Sequence, residues 1–218
     1  IGRLLRWMDE AYSDSSFQPF IRVTSDHGET LDELQREFSY VFANGKFLNK
    51  HAIEIPLIMS YKNKIPQGII RDTLVESLDI SPTIVDILFA EEFTEFSGTS
   101  IKKCIFDESS PHKPYAFVHR RPFRSPELVQ YRADLVDHAF AVVSKEYKLI
   151  EYPISGFELY DLANDSSEQT NLIKENEGIA RDLERELRKW KEEYPFTNSD
   201  FVIPEDTRDI LKSLGYLP

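Results

Sequence analysis

"FIRVTSDHGETL" (residues 20–31) carries a short β-prone run, Phe20 to Thr24, into Ser25-Asp26-His27-Gly28-Glu29. A carboxylate and an imidazole side by side offer an oxygen and a nitrogen donor at the carboxyl end of a strand, where open α/β sheets build their sites. Gly28 is expected to turn the backbone sharply with a positive φ, so that the two side chains converge. The same tripeptide also reads as an Asx-type turn carrying a surface histidine, and the stretch by itself leaves both readings open.

The flanking sequence supplies layers for that strand. Upstream, Ile1, Leu4, Leu5, Met8 and Ala11 fall at helical spacing, with Arg3, Arg6, Asp9 and Glu10 mostly off that face, so the chain opens inside an amphipathic helix. The expectation is a C-terminal part of a longer protein. Downstream, Leu31, Leu34, Phe38 and Val41 predict a helix over residues 31–42. Pro56 then leads the apolar run Leu57-Ile58-Met59-Ser60-Tyr61, expected to be a strand buried on both faces of a parallel or mixed sheet. Ser81-Pro82 predicts a helix start, with Ile84, Ile87 and Leu88 facing the core.

From about Ser109 the texture changes. Residues 115–119, 140–143, 147–151 and 157–162 are short β-prone runs joined by turn residues, which predict a small antiparallel sheet. A last helix follows, with Ile179, Leu183, Leu187 and Trp190 on one face and a Glu177 to Arg181 pair on the surface. The expected architecture is α/β over residues 1–108 and an α+β subdomain with an antiparallel sheet and a packed helix over residues 109–218.

Composition excludes several classes. A net charge of −12 disfavours nucleic acid as a partner, and no apolar stretch approaches the roughly 20 residues of a membrane span. Cys104 is the only cysteine, next to Ile105 and Phe106, and is expected in or near the core. Lys46, ten residues before Pro56, is placed to set a compact positive charge against an oxyanion, or else is a solvated loop lysine. His51 and the basic "HRRPFR" (residues 119–124) admit a similar choice between contact with an anion and a solvated turn. Gly-rich phosphate loops and the G-x-S-x-G nucleophile motif do not occur.

Taken in order, the opening helix, "TSDHGE", "NGKFLNKHAIEIPLIM", "SLDISPTIVDIL", "GTSI", "YKLIEY", "FELYDLANDSSEQTNL" and "LKSLGYL" resemble the C-terminal half of sulfatases, in the alkaline phosphatase superfamily of metal-dependent hydrolases. The resemblance implies an alkaline-phosphatase-like three-layer αβα core, present here in part. It implies that Asp26 and His27 are metal ligands and that Lys46 holds the sulfate oxygens, as a catalytic and substrate-binding lysine. The family metal is usually calcium, and the imidazole where many members carry asparagine leaves manganese or zinc open. The implied substrate is a small-molecule or carbohydrate sulfate ester, and the implied location periplasmic, extracellular or lysosomal.

The sequence departs from the family at Asn44-Gly45 and Asn49-Lys50-His51, so His51 inherits no role. The family nucleophile is a formylglycine made in a Cys/Ser-x-Pro-x-Arg motif, expected upstream. Cys104 does not fit that motif, because Ile105-Phe106-Asp107 follows it. The 218 residues alone are therefore expected to be inactive, with a phosphodiesterase or phosphonate monoester hydrolase of the superfamily, or a noncatalytic relative, as alternatives.

Overall fold

The structure is a computed structural model that describes residues 2–13, 18–30, 47–89, 95–122, 133–195 and 207. The chain divides into two compact units, Ile1–Leu187 and Arg188–Pro218. In the first, helix α1 (Gly2–Ala11) precedes strand β1 (Phe20–Thr24), and a single helical turn, α2 (Lys50–Ile53), precedes strand β2 (Leu57–Tyr61). The helix expected over residues 31–42 lies outside the described residues.

β1 and β2 pair antiparallel, with Phe20 opposite Tyr61 and Thr24 opposite Leu57. The Phe20 and Tyr61 rings meet edge to face at 5.8 Å, a favourable cross-strand aromatic pair. This corrects the expectation of a strand buried on both faces. β2 alternates between half-buried and exposed residues, and Ile58 is 59% exposed. α1 buries no residue fully; Leu4 and Trp7 stand exposed on it, and a cleft lined by Met8, Tyr12, Ile21 and Ser60 runs between it and the two strands.

The next helix begins earlier than Ser81-Pro82 indicates. A 3-10 turn, Ser77–Asp79, leads directly into α3 (Ile80–Phe89), and the cap is a reciprocal one between Glu76 and Asp79. Asp79 Oδ2 accepts the Glu76 N–H at 2.8 Å and Oδ1 accepts the Thr99 N–H at 2.9 Å. A carboxylate that satisfies a free helix-end N–H and a second chain segment at once outcompetes the serine cap. Pro82 and Thr83 are buried, but Leu88, expected in the core, is exposed.

Asp79 ties this helix to the rest of the chain. Lys113 Nζ lies 2.8 Å from Oδ1 and also pairs with Glu76, whose Oε1 accepts the Phe117 N–H at 2.6 Å. Burial pushes the Asp79 carboxyl up, but hydrogen bonds from Lys113 and from the Glu76 and Thr99 amides outweigh it and hold the group below its ordinary value. Thr83 Oγ1 donates to Asp79 O and accepts from the Ile101 N–H, while Ser100 and Lys102 bond Asp86. These bonds fasten "GTSI" to α3. Gly98 must be glycine there, since a Cβ would lie 2.1 Å from the Leu78 carbonyl oxygen. A short helix, α4 (Lys102–Phe106), follows and buries Cys104.

The second sheet matches the sequence expectation closely. Strands β3 (Ala116–Arg120), β4 (Ala139–Val143), β5 (Tyr147–Tyr152) and β6 (Gly156–Asp161) form an antiparallel meander in sequence order. One face presents Ala139, Ala141, Ile150 and Tyr152, which cluster with Leu48, and Ile53 and Val118 pack against them. The sheet is thus the floor on which residues 47–53 rest. Helix α5 (Glu177–Glu193) buries Ala180, Leu183 and Leu187, and Arg181 reaches Glu177 at 3.7 Å. Its last turn lies in the second unit, where the Trp190 and Tyr194 rings are 6.1 Å apart.

The "HRRPFR" stretch is structural where it is described. Arg120 is buried, and its guanidinium donates to the Asp134 carbonyl at 2.7 Å. His119 stacks on His138 and Phe140, with ring centroids 4.9 and 5.0 Å away, and its Nε2 is 2.6 Å from His138 Nδ1. Burial, helped by His138, Arg121 and Arg120, pushes the His119 pKa from 6.5 down to about 4.

Two outcomes follow for stability. Asp79→Ala leaves the Glu76 and Thr99 amides without their acceptor and the Lys113 ammonium with Glu76 alone, and is expected to cost about 2–4 kcal/mol, read from the urea midpoint. Between pH 6.5 and about 4 the unfolded chain takes up a proton at His119 that the folded chain refuses, so stability is lost progressively as pH falls through that window. His119→Phe is expected to flatten the urea midpoint over that range. Asp79 contributes separately, since its depressed carboxyl stabilises above 3.8 and loses that contribution below it.

Candidate functional site

The loop after β1 is shaped by what it touches. Gly28 N–H donates to the Ala52 carbonyl at 2.9 Å, and a Cβ on Gly28 would lie 2.0 Å from the His51 carbonyl oxygen. Gly28 is not in the left-handed region, so its glycine is required by close approach and not by a positive φ. Thr30, fully buried, donates from Oγ1 to Asn49 Oδ1 at 3.3 Å. The loop is therefore pressed against residues 49–52 along its length.

Asp26 and His27 project from this support into solvent, with side chains 78% and 42% exposed. Asp26 Oδ1 accepts the His27 N–H at 3.1 Å, the Asx-type contact that the bland reading of the tripeptide anticipates. The imidazole adds something that reading does not require. Nδ1 lies 2.7 Å from the Gly28 carbonyl oxygen, and a carbonyl can only accept, so Nδ1 carries a proton. In the neutral ring Nε2 then keeps its lone pair, and it lies 3.6 Å from Asp26 Oδ2. An imidazole locked by a backbone carbonyl, with its other nitrogen beside a carboxylate oxygen, is the arrangement metal-ligating histidines use. Two donors bound to one ion at about 2.1–2.4 Å sit roughly 3–4 Å apart, and the 3.6 Å between Nε2 and Oδ2 falls in that range.

Among the described residues no third such side chain joins them. Lys46, the predicted sulfate-holding lysine, lies outside the described residues. His51 contributes its carbonyl to the floor under Gly28. Cys104 is buried, with Sγ 3.7 Å from the Ser110 carbonyl, which places its thiol in a core and away from solvent.

The residues under residues 47–53 escaped the sequence reading. Lys148 on β5 and Glu168 beyond β6 form an ion pair of 2.5 Å, with side chains only 1% and 5% exposed. Lys148 Nζ also donates to the Leu48 carbonyl at 2.8 Å, and Glu168 accepts the Lys50 N–H at 2.9 Å. Burial pushes the Lys148 ammonium below its ordinary value, with Glu168 opposing. The available signal was a lysine between Tyr147 and Leu149 in a run that is otherwise apolar to Ile150. A charge at that position of a buried strand has to be paired.

Residues 39–193 match the family described as N-sulphoglucosamine sulphohydrolase, C-terminal. A sulfatase of Formosa agariphila is 30% identical over 151 residues, covering 63% of this chain and 27% of its own. Solved structures share the fold, and two illustrate it. The structure of BT4656 in complex with its substrate D-glucosamine-2-N,6-O-disulfate superposes with a TM-score of 0.74 at 22% identity, over 93% of this chain and 39% of that one. The phosphonate monoester hydrolase SpPMH from Silicibacter pomeroyi does so with a TM-score of 0.70 at 19% identity, over 94% and 40%. The chain spans only 24–29% of the length of the curated relatives it matches. Its fold is a part of the alkaline-phosphatase-like α/β fold, and, with more than half of its residues inside one family match, the chain belongs to the sulfatase family.

Proposed function

We propose that the protein carrying this chain is a metal-dependent sulfuric ester hydrolase, in which this chain supplies half of the metal site. The observation that carries the reading is the locked imidazole, with Nδ1 on the Gly28 carbonyl and Nε2 beside Asp26 Oδ2. Asp26 and His27 would hold a divalent cation, calcium by family habit, with manganese or zinc left open by the nitrogen donor. When bound, such an ion draws electron density from a sulfate ester oxygen and steadies the charge that grows as the ester bond breaks.

The chain's own residues do the rest of the work assigned to them. Gly28 and Thr30 hold the loop so that neither ligand has to be ordered when the ion arrives. Lys46 places an ammonium against the sulfate oxygens and stabilises the oxyanion. The nucleophile, a formylglycine in the family, lies outside this chain, since buried Cys104 has neither the sequence context nor the exposure. The division near residue 109, between a ligand-bearing part and an antiparallel subdomain, belongs to the same proposal. The substrate is a small-molecule or carbohydrate sulfate ester, as in the disulfated glucosamine bound by the structural neighbour. A phosphonate monoester hydrolase is the second reading, favoured by the fold shared with SpPMH.

Assays on the full-length protein separate these readings. Hydrolysis of 4-nitrophenyl sulfate faster than of 4-nitrophenyl phenylphosphonate is expected, and the opposite preference would move the assignment to the second reading. Asp26→Ala and His27→Ala are each expected to abolish Ca2+ or Mn2+ binding in titration calorimetry. Lys46→Met is expected to lower kcat/KM by about 10²–10³-fold while leaving cation affinity unchanged. The isolated 218 residues are expected to show no turnover.

A further inference from the structure

The loop that holds Asp26 and His27 touches residues 49–52, and those residues are held in turn from the other side. Leu48 O receives the Lys148 ammonium at 2.8 Å, and Lys50 N–H is received by the Glu168 carboxylate at 2.9 Å. Both are hydrogen bonds to a charged group, which are stronger and more directional than neutral ones. The two charges also meet each other at 2.5 Å, so neither backbone contact can shift without disturbing the pair.

Glu168 itself sits in a hydrogen-bonded turn, its N–H donating to the Asp165 carbonyl at 3.0 Å. Its φ is 55°, in the left-handed region that costs a residue with a Cβ about 1 kcal/mol or more. The turn that holds it there is built on Asp165, whose carboxylate accepts the Gln169 and Thr170 N–H groups at 2.8 and 2.7 Å, and from it the Glu168 carboxylate reaches Lys148 and Lys50. Leu48 is packed against Ala139, Ala141, Ile150 and Tyr152 of the sheet as well, so the segment has apolar and ionic anchors on one side. Its other side carries the Ala52 and His51 carbonyls that meet Gly28, and the Asn49 amide that meets Thr30.

We propose that Lys148 and Glu168 are positioning residues for the Asp26-His27 pair, acting through residues 48–52 to fix the loop that carries it. This deepens the reading of Asp26 and His27 as metal ligands and rests on it. One residue on β5 and one in the turn beyond β6, more than a hundred residues along the chain, thereby set cation affinity without touching the cation.

The test uses the full-length protein as wild type, Lys148→Met, Lys148→Arg and Glu168→Gln, with Leu187→Ala as a control that lowers stability through a buried side chain in α5. Two quantities are read: hydrogen exchange at the Gly28 amide in metal-free protein, and Ca2+ and Mn2+ affinity by titration calorimetry. Lys148→Met and Glu168→Gln are expected to speed Gly28 exchange at least tenfold and weaken cation binding about 10–100-fold. Lys148→Arg is expected to restore most of both, and Leu187→Ala to leave both within about twofold. Equal losses in Leu187→Ala would reduce the pair to a general stabiliser and overturn the proposal, as would unchanged Gly28 exchange in the pair variants. If Lys148→Met does not fold, Glu168→Gln decides. If the wild type binds neither cation, the ligand reading falls, and Gly28 exchange still decides whether the pair holds the loop.

Discussion

The buried ion pair between Lys148 and Glu168 is the constraint on which the described part of the molecule depends. An ammonium with 1% exposure is tolerated only when its charge and its hydrogens are met, and here a carboxylate and a backbone carbonyl meet them. The geometry of that satisfaction drags residues 48–50 onto the sheet. Once they are there, the carbonyls of His51 and Ala52 leave room for nothing larger than glycine at position 28. The conformation of the Asp26-His27 loop is thus inherited from a contact it does not make.

A second polar knot does the same work elsewhere. Asp79 joins the start of α3, the "GTSI" segment and Lys113, while Glu76 reaches the amide of Phe117 at the start of the four-stranded sheet. The two knots differ in character from the hydrophobic cluster under Leu48. Apolar contacts fix how close segments lie, whereas bonds to particular backbone groups fix their register and direction. Segments that look unremarkable as sequence, such as "GTSI", owe their collinear spacing to these bonds.

The sequence was legible wherever the signal was local. The strands of the four-stranded sheet, the amphipathic first and last helices and β1 follow from alternation and helical spacing, and the structure places them where those patterns do. The start of α3 was misread because the decisive cap partners, Glu76 and Asp79, act through Thr99 and Lys113, which lie 20 and 34 residues further on. β2 was misread because a continuous apolar run does not reveal how many neighbours a strand has. At the candidate site, residue type and order single out Asp26 and His27, but not the reason for Gly28, since a carbonyl arriving from residue 51 leaves no trace in "DHG". Lys148 and Glu168 were missed altogether, their partnership spanning a hairpin and a turn.

The left-handed backbone at Glu168 has a consequence for how this chain can drift. On backbone grounds alone the position invites glycine or asparagine, and any such change would relax the φ of 55°. On electrostatic grounds it demands an acid for as long as a lysine stands at position 148. The two preferences oppose each other, so the relaxation that glycine or asparagine would bring at position 168 is offset by the loss of the partner of Lys148. In lineages descended from this sequence, an acid is expected to persist at position 168 wherever position 148 stays basic, whether lysine or arginine.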